Sequence, residues 1–443
     1  MSKYTKADII NLVEDEDVEF IRLQFTDTQG NFKNVAITSS QLEKALNNDC
    51  MFDCSSIDGF LTTQEHDMYL YPDLDTFTIF PWRPQQGKVA RLICDLYRPD
   101  RTPFEGDCRY ILKQAIKEAA DLGYTFQAGP ECEFFLFQMD ENGLPTTITH
   151  EQASYFDMGP LDMGENARRD IVLTLEDMGF CVEASHHEKG ASQHEVDVKY
   201  DEALRAADTI MTFKLAVKTI AKHHGLHATF MPKPKVDECG SGMHINMSLL
   251  KDGRNIFDDQ NGEMGLSQEA FYFLGGLMKH VRDMSAITNP LTNSYKRLVP
   301  GFEAPCHIAW SATAPNPLIR IPAARGEGTR IELRSPDPAA NPYLTLAACL
   351  RAGLDGIKKQ ILPPAQITED IGSLTDAECA ARQIASMPSD LKNAIDAFKE
   401  SEIARLMMSE EAILMFYEKK NEIWKEYNAQ VTAWEINSYL YKY

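Results

Sequence analysis

Several common sequence signals are missing from this chain, and each absence narrows the class of protein. No apolar run approaches the ~20 residues that a helix needs to cross a bilayer. The N-terminal segment lacks the basic stretch followed by an apolar stretch that marks a secretory signal peptide. The ten cysteines form no Cys-x-x-Cys pair. We therefore expect a cytoplasmic protein with reduced thiols and no membrane partner.

A surplus of basic charge is also missing. The formal net charge is −22, which argues against the backbone of a nucleic acid as a partner. The signatures G-x-x-x-x-G-K-[ST] and G-x-G-x-x-G are absent, so a nucleotide site would have to be built another way. What remains is a chain of 443 residues, 44% hydrophobic and 25% charged, which is typical of a globular protein with about two or three domains.

The N-terminal part is predicted to be a small α+β unit. Residues 18–26 alternate apolar and polar side chains, as a half-buried strand does. Ser40 and Glu43 have the spacing of a capping box, which predicts that a helix starts there. The segment 98–107 is rich in Pro, Asp and Gly and is interpreted as a linker. We therefore predict one domain over residues 1–103 and a second over 104–443.

The second part is predicted to mix helices with strands. A first helix runs from about Asp107 to Gly123, with a capping residue at each end. Further helices are predicted at 165–179, 202–224, 267–288, 341–360, 389–400 and 409–428. Most of the unusual polar residues lie in the strands between these helices, so a functional site is expected there.

The stretch GPECEFFLF, residues 129–137, reads as an apolar strand that carries two carboxylates. Glu131 and Glu133 are two residues apart, so their side chains point to the same face. Two like charges side by side repel, and one of them tends to hold a proton unless a cation is present. A solvated edge strand is the alternative. The apolar neighbours favour a hard divalent metal, which prefers carboxylate oxygens.

Three later stretches supply further polar groups. The first, VEASHHEKGASQHEVD, contains Glu188 and Glu195 as possible metal ligands, whereas its three histidines are interpreted as hydrogen-bonded structural residues. The second, CGSGMHINMS, has a Gly-Ser-Gly turn followed by a strand. That strand places His244, Asn246 and Ser248 on one face.

The third stretch, RIELR, places two arginines on either side of a glutamate. Arg330, Glu332 and Arg334 share one strand face. Such a set is costly to bury unless the glutamate binds a metal and the arginines bind phosphate or carboxylate groups.

Long runs of this sequence resemble type I glutamine synthetase in its shorter form, over nearly the whole chain. The matching runs include DMYLYPDL, GPECEFFLF, HATFMPKP, NSYKRLVPGFEAP and RIELRSPDPAANPYL. The resemblance implies an α+β fold, with an N-terminal β-grasp-like domain and a catalytic domain whose curved antiparallel half-barrel is flanked by helices. It also implies a homo-oligomer of two stacked hexameric rings, with each active site between neighbouring subunits.

The resemblance further implies ATP-dependent ligation of ammonium to glutamate through an acyl phosphate. Two or more Mg²⁺ or Mn²⁺ ions would bridge ATP and glutamate. One ion would be held by Glu133, Glu188 and Glu195, and another by Glu131, His244 and Glu332. The nucleotide-side positions would be Glu183, Tyr200, Asn246, Ser248 and Arg330.

The remaining site residues follow from the same resemblance. Gly240, Arg297, Arg320 and Arg334 would face the glutamate and phosphoryl groups. Asp53 from the neighbouring subunit would take a proton from ammonium, in a pocket completed by Tyr155 and Glu188, and Glu303 would shield the acyl phosphate from water. Simpler interpretations remain for single residues: ion-pair partners for Arg297 and Arg320, an Asx turn for Asp53, and core positions for Tyr155 and Tyr200.

The sequence departs from the family pattern at several positions. Cys239 stands where the family has an Asn, Pro315 where it has an Arg, and Cys54 where it has a Gly. Thr62 replaces an arginine used in feedback inhibition, and no tyrosine segment of the kind adenylylated in the longer form is present. The hypotheses are therefore an ammonia-using synthetase, a relative that uses another acid or amine, and a weakly active or regulatory paralog.

The C-terminal segment VTAWEINSYLYKY is amphipathic and rich in aromatic residues. An exposed tail of this kind requires a partner surface. Contact between the two rings is the favoured interpretation, and packing on its own domain is the alternative.

Overall fold

The computed structural model describes residues 3–55, 57 and 67–443 of the chain, with the backbone alone at Ser373 and Asp376. Two hydrophobic cores organise these residues. One core is built from residues between 9 and 104, and the other from residues between 108 and 416. In the described part of the chain, no helix combines the length and apolar character needed to cross a membrane. The position of Thr62 lies outside the described residues.

The first unit is a five-stranded sheet with two helices. Its elements are α1 (Lys6–Asp15), β1 (Val18–Thr26), β2 (Phe32–Thr38), α2 (Leu42–Leu46), β3 (Cys50–Asp53), β4 (Asp67–Ile79) and β5 (Lys88–Tyr97). The strand order is β2-β1-β5-β4-β3, and β1 pairs with β5 in parallel while the other pairs are antiparallel. Strand β1 has the predicted bounds. Helix α1 was not predicted, although the Thr5 hydroxyl caps it by accepting from the Asp8 N–H.

The predicted capping box at Ser40 is wrong. Ser40 lies in a 3₁₀ turn, Ser39–Gln41, and α2 starts only after it. The hydroxyl groups of Ser40 and Thr38 are hydrogen-bonded to each other at 2.9 Å, so Ser40 does not cap the helix. A local side-chain bond has replaced the expected cap.

The connection between the two units is packed rather than free. Phe104 is buried in the first core. Asp107 is buried as well and accepts from the N–H groups of Leu96 and Arg109, which caps the first helix of the second unit. Burial, followed by the charge of Asp95, raises the pKa of Asp107 to about 7. The domain boundary predicted between residues 103 and 104 lies in this connection and stays a prediction.

The second unit carries an extended sheet surrounded by helices. Its strands are β6 (Thr125–Cys132), β7 (Phe134–Gln138), β8 (Val182–His187), β9 (Gln193–Val198), β10 (Asp201–Glu202), β11 (Leu226–Thr229), β12 (Met243–Lys251), β13 (Arg254–Asn255), β14 (Trp310–Ser311), β15 (Ile319–Arg320) and β16 (Ile331–Leu333). The main path is β11-β7-β9-β6-β12-β16-β15-β14, while β8, β10 and β13 pair at its sides. The α+β prediction is confirmed.

The helices of the second unit follow the predicted spans closely in most cases. They are α3 (Cys108–Asp121), α4 (Glu165–Asp177), α5 (Ala203–His223), α6 (Gln268–His280), α7 (Ser285–Thr288), α8 (Ser294–Arg297), α9 (Pro342–Lys359), α10 (Asp376–Ala381), α11 (Leu391–Glu400), α12 (Glu402–Met407), α13 (Glu410–Asn428) and α14 (Ala433–Tyr439). The predicted helix 267–288 is two helices, because α6 ends at His280, whose ring bonds to Asp355 on α9 at 2.8 Å.

The stretch GPECEFFLF is two strands rather than one. Strand β6 pairs with β12 and with β9, whereas β7 pairs with β9 and β11, so the chain leaves β12 and gains β11 between them. The change occurs at Glu133, whose N–H donates to the carbonyl of Gly242 and whose carboxylate accepts from the Gly242 N–H. Glu131 therefore lies within β6 and Glu133 at the strand break, and both still line the same pocket.

The C-terminal helix α14 does not pack on its own domain. None of its residues is buried, and Trp434 is 66% exposed. Tyr441 and Tyr443, which follow it, are fully exposed. The interpretation in which this segment packs on its own domain is therefore wrong.

Candidate active site

Two adjoining pockets lie on one face of the large sheet. The larger pocket, of about 460 Å³, is lined by strands β6 and β12 and by the loops around residues 188–195 and 302–304; we call it the catalytic pocket. The smaller pocket, of about 230 Å³, is called the nucleotide pocket. Glu131 lines both of them. The two sets of residues assigned from the sequence therefore meet at one carboxylate.

Cross-strand pairing brings the first predicted ligand set together. His244 on β12 stands opposite Glu131 on β6, and its ring nitrogen Nδ1 lies 3.5 Å from Glu131 Oε2. The same nitrogen is 3.7 Å from Oε1 of Glu332 on β16. Glu332 is fully buried. Two oxygen donors and one imidazole nitrogen converge in a way that suits a divalent cation.

The second cluster forms around the β8–β9 hairpin. Glu188 and Glu195 both lie beside His186, whose Nε2 is 2.9 Å from Glu188 Oε1 and 3.3 Å from Glu195 Oε2. Burial opposes the charge on His186, but the hydrogen bonds to these two carboxylates together outweigh it and raise the pKa of His186 to about 10. The sequence left His186 as a structural residue, but in the structure it is part of the site. A signal was present, because His186 stands two residues before Glu188 in the chain.

The charges around this cluster are not fully balanced. Burial, and then the charge of Glu188, raises the pKa of the Glu133 carboxyl. Burial also raises the pKa of Glu195 well above its usual range. The Oε1 atom of Glu195 is buried with no hydrogen-bond partner among the described residues. An orphaned buried carboxylate oxygen next to other acids is the feature expected of a cation site, so the residues fit a divalent metal.

The arginines of the pocket lie in two kinds of environment. Arg320 Nε donates to Glu332 Oε2 at 2.5 Å and Arg334 Nη1 donates to Glu332 Oε1 at 3.0 Å. Arg297 is buried and donates to the carbonyl oxygens of Ser335 and Arg334. The ion-pair interpretation thus describes Arg320 in this structure. Each arginine also lines the catalytic pocket, where its remaining N–H groups can meet an anionic substrate.

Glycine is required at position 240. A Cβ there would lie 2.6 Å from the Pro232 carbonyl oxygen and 2.8 Å from Cγ of Arg297. Cys239 lines the pocket beside it, and burial raises the pKa of its thiol. A neutral thiol therefore takes the place of the amide that the family pattern predicts.

The mouth of the catalytic pocket is polar and partly exposed. Glu303 has a positive φ of 58° and pairs with Lys189 at 2.5 Å, and both side chains are half exposed. Tyr155 is 53% exposed and meets the His186 ring edge-on at 5.7 Å. A core position for Tyr155 is therefore wrong.

The nucleotide pocket contains all five nucleotide-side residues. It is lined by Glu183, Tyr200, Asn246, Ser248 and Arg330. Arg330 Nε donates to Asn246 Oδ1 at 2.9 Å, and Asn246 Nδ2 donates to Glu131 Oε1 at 2.8 Å. Tyr200 is 48% exposed, which excludes a core role. A continuous hydrogen-bonded chain therefore connects the nucleotide pocket with the carboxylates.

Asp53 is the predicted site residue that this single chain does not bring to the others. It ends β3, is exposed, and accepts from the Ser55 N–H at 2.8 Å, which is the local turn contact considered from the sequence. Within the described ranges of the chain, Asp53 lines neither pocket. Pro315 is exposed and lines neither of them. Cys54 is buried.

Other polar residues of the site were not identified from the sequence. Gln193 Nε2 donates to Glu133 Oε2 at 2.8 Å and holds this carboxylate in place. His187 and His194 are structural, as expected, because His187 Nε2 is bonded to Glu151 and His194 Nδ1 to Arg168. Gln193 gave no sequence signal, since its role depends on the strand break at Glu133.

Comparisons with known proteins agree along the whole chain. A model of the glutamine synthetase β-grasp domain matches residues 17–99, and a model of the glutamine synthetase catalytic domain matches residues 105–439. The glutamine synthetase of Clostridium saccharobutylicum is 58% identical over 443 residues, which is 100% of both chains. A Staphylococcus aureus glutamine synthetase is 54% identical over 441 residues, 99% of each chain.

Solved structures show the same fold. A GmaS/ADP complex superposes with a TM-score of 0.88 at 31% identity, covering 98% of this chain and 99% of its own. The Plasmodium falciparum glutamine synthetase has a TM-score of 0.88 at 27% identity and covers 99% of both chains. With both domain models matched and full-length relatives above half identity, the chain belongs to the glutamine synthetase family.

Proposed function

We propose that this enzyme joins ammonia to the γ-carboxylate of L-glutamate, with ATP converted to ADP and phosphate and γ-glutamyl phosphate as the intermediate. The observation that carries the proposal is the hydrogen-bonded chain Arg330–Asn246–Glu131, which runs from the nucleotide pocket into the carboxylate-rich pocket. A phosphoryl group leaving a nucleotide in the first pocket would arrive where the second pocket holds the acceptor.

Two Mg²⁺ or Mn²⁺ ions fit the donor set of the catalytic pocket. Glu131, His244 and Glu332 would hold one ion and Glu133, Glu188 and Glu195 the other. When bound, such ions neutralise the charge that spreads over a transferring phosphoryl group. Their number and identity are part of the proposal, because the donor chemistry alone specifies only a hard divalent cation.

The arginines position the substrates. Arg297 is fixed by two backbone carbonyls, so its guanidinium direction is set before substrate binds, and we assign it to the α-carboxylate of glutamate. Arg320 and Arg334 already bind a carboxylate, Glu332, in a charge-assisted way. A metal on Glu332 would free part of their donors for the γ-phosphoryl group. Gly240 leaves room beside Arg297 for the amino acid.

Ammonium is assigned to the side of the pocket that contains Tyr155 and Glu188. Asp53 would act as the base from a neighbouring subunit, which explains why it stands away from the pocket of its own chain. A second copy is also favoured by the exposed apolar segment 155–163, in which Phe156 is 64% and Met158 75% exposed. We propose a dodecamer of two hexameric rings, with α14 between the rings.

Glu303 is assigned to exclusion of water. Its positive φ and its half-exposed ion pair with Lys189 at the pocket mouth support this assignment. Covering the acyl phosphate would favour attack by ammonia over hydrolysis. The loop carries this carboxylate within reach of Cys239 and Lys189 in the same pocket.

A different acid substrate is the second candidate. Cys239 is a weak hydrogen-bond donor in the pocket that would hold the amino acid, and Pro315 lacks the guanidinium of the family pattern. These departures favour a changed acid over a changed amine, since Asp53, Tyr155 and Glu188 are retained. A regulatory paralog with weak activity is the third candidate.

A product assay tests the proposal. Purified protein, ATP and Mg²⁺ or Mn²⁺ would be incubated with glutamate and ammonium, while released phosphate and mass-identified glutamine are both measured. The matched blank is the double variant E131Q/E133Q. Glutamine above this blank supports the proposal. Assembled protein that binds ATP and makes no glutamine would contradict it, and a panel of other acids would then identify the substrate.

A further inference from the structure

A third cavity, of about 440 Å³, lies between the two units of the chain and is called the interdomain cavity. Strands β4 and β5 of the first unit form one wall. The α4–β8 turn, the β9–β10 connection and the start of α5 form the other. Strand β4 is irregular here, because its register against β5 shifts between Asp73 and Thr78. The cavity is separate from the catalytic pocket and no role in the proposed reaction has been given to it.

Arg91 on β5 lines this cavity, and in the described part of the chain two of its three guanidinium nitrogens are buried without a hydrogen-bond partner. The residue is 3% exposed, and its Nε and Nη1 atoms are buried without a hydrogen-bond partner among the described residues. Burial lowers its pKa to about 10, so it is still charged at neutral pH. A buried cation without a partner is costly, and such groups in folded proteins are almost always paired.

The nearby acids do not supply that partner. Asp208 also lines the cavity, but its two oxygens accept from Arg109 at 3.1 and 3.0 Å and from the Tyr343 hydroxyl at 2.6 Å. Arg109 is further paired with Asp73 and Asp95. Arg109 on α3 thus pairs with the carboxylates of this junction, whereas Arg91 pairs with none of these three.

We propose that the interdomain cavity binds a small organic carboxylate, whose anionic end pairs with Arg91. The guanidinium fork matches a planar carboxylate with two parallel hydrogen bonds. Phe77, Met178 and Phe180 line the same cavity and can contact a short hydrocarbon body. Lys3 and Lys199 are in the lining as well and can meet a second carboxylate of the ligand, whereas Asp75 and Glu202 disfavour a compact anion such as phosphate.

The bound carboxylate acts as an effector of nucleotide binding. Val198 and Tyr200 line both the interdomain cavity and the nucleotide pocket. A ligand in the interdomain cavity that orders this short connection changes the free energy that a nucleotide needs to order the same connection from the nucleotide pocket. Because the cavity walls come from both units, the ligand also fixes how the first unit sits on the second.

The first test is thermal unfolding of the full chain with Arg91→Met, a replacement that keeps a flexible unbranched stem and removes the charge. In a buffer of low anion content we expect the variant to melt at a higher temperature than the wild type, because an unpaired buried charge has been removed. Succinate, used as the probe, should raise the midpoint of the wild type and leave that of R91M unchanged. A variant that melts lower, or fails to assemble, would overturn the proposal by showing that Arg91 is paired within the protein.

The second test locates the binding by calorimetric titration with succinate. The variant Arg334→Gln removes an arginine from the catalytic pocket and Arg205→Gln removes an exposed arginine of the cavity that is already paired with Asp201. We expect R334Q and R205Q to keep one succinate site and R91M to weaken it at least tenfold. Cys181→Trp, which fills the exposed mouth of the cavity, should weaken it as well. Two results would overturn the proposal: loss of succinate binding in R334Q alone, or no succinate binding to the wild type. The second result would show that the cavity holds only water.

The third test measures ADP affinity with and without succinate. We expect succinate to change the affinity of the wild type severalfold and that of R91M not at all. Equal affinities in the wild type would overturn the effector role. This arm rests on the proposed nucleotide site, whereas the first two tests do not, so failure of the proposed function and failure of the carboxylate site are distinguishable.

Discussion

Acidic side chains gather at the junction around Arg109 and in the catalytic pocket, and the two places treat them differently. At the junction, Asp73, Asp95 and Asp208 each pair with the Arg109 guanidinium at 2.6–3.0 Å. Burial opposes the charge on Arg109, but the carboxylates of Asp208 and Asp95 outweigh it and raise its pKa. Every partner comes from the chain itself, so this cluster is complete without a ligand.

In the catalytic pocket the chain supplies too few cations for its acids. Glu332 is paired with arginine, yet burial raises the pKa values of Glu133 and Glu195, and one oxygen of Glu195 has no hydrogen-bond partner among the described residues. The comparison teaches that a balanced buried network indicates a structural role, whereas an unbalanced one indicates a site awaiting a ligand. Arg91 beside the junction is the same kind of imbalance with the opposite sign.

Replacing an acid of the unbalanced cluster should have the largest effect on activity. We expect Glu133→Gln to lower ligase activity at least ~1000-fold, since a charged group facing the metals is lost. The amide oxygen can still accept from Gly242 and Gln193, and a repelling charge has gone, so the metal-free variant should melt no lower than the wild type. Product formation and thermal unfolding measure the two effects. Ligase activity of E133Q within tenfold of the wild type would contradict the view that the unbalanced acids form the site of a ligand.

Replacing an acid of the balanced cluster around Arg109 should lower stability and leave activity almost unchanged. Asp208→Asn leaves Arg109 short of one partner, and we expect destabilisation on the order of 3 kcal/mol. Activity per folded molecule should stay within a few-fold of the wild type. Denaturant unfolding, with the exposed Asp201→Asn as the control, measures the loss. Unchanged stability would show that the junction is not a structural cluster.

A second balanced cluster, around Asp355, should show through the effect of pH that its charge pairs stabilise the fold. Burial opposes the charge on Asp355, but bonds from Lys359, His280 and Lys279 outweigh it and lower its pKa to about 2. The folded pKa lies below the unfolded value of about 3.9, so the stabilisation is present above pH ~4 and is lost as pH falls through ~2. We expect Asp355→Asn to cost about 1–2 kcal/mol at pH 7 after screening by solvent, and less at pH 3.

The control for this prediction is Glu402, an exposed carboxylate that pairs with the same two lysines as Asp355. Glu402 binds Lys279 and Lys359 from the surface and is 46% exposed at its side chain. Glu402→Gln should therefore change the melting temperature less than Asp355→Asn at pH 7. Equal effects at pH 7 and pH 3 would show that Asp355 does not stabilise the protein through its charge.

Adding a cation near the unbalanced pocket should have the smallest effect, and a favourable one. Pro315→Arg restores the residue of the family pattern and should raise ligase activity up to about tenfold, through a charge-assisted contact to the phosphoryl group. Thr313→Arg adds the same charge at an exposed neighbouring position and is the matched control. No gain in a correctly assembled P315R protein would contradict the account of this position.

The sequence predicted the fold best where one local rule acted alone. Strand β1 and helix α5 fell within a residue of their predicted bounds, because periodicity and caps are local. The single strand predicted at GPECEFFLF failed, because β6 pairs with β12 while β7 pairs with β11 instead, and only the partner strands impose that break. The helix cap predicted at Ser40 failed for a related reason, because the Ser40 hydroxyl is hydrogen-bonded to the Thr38 hydroxyl of the preceding strand instead.

The residue types and spacings of the sequence determined the carboxylate strand, the RIELR face and the family. The tertiary structure decided what those groups meet. It brought His186 to Glu188 and Glu195, and it joined Arg330 to Glu131 through Asn246. It also left two nitrogens of Arg91 without a hydrogen-bond partner among the residues that the structure describes. The physical reason is that a side chain's type is fixed by the chain, whereas its burial and its partners depend on residues far away in sequence.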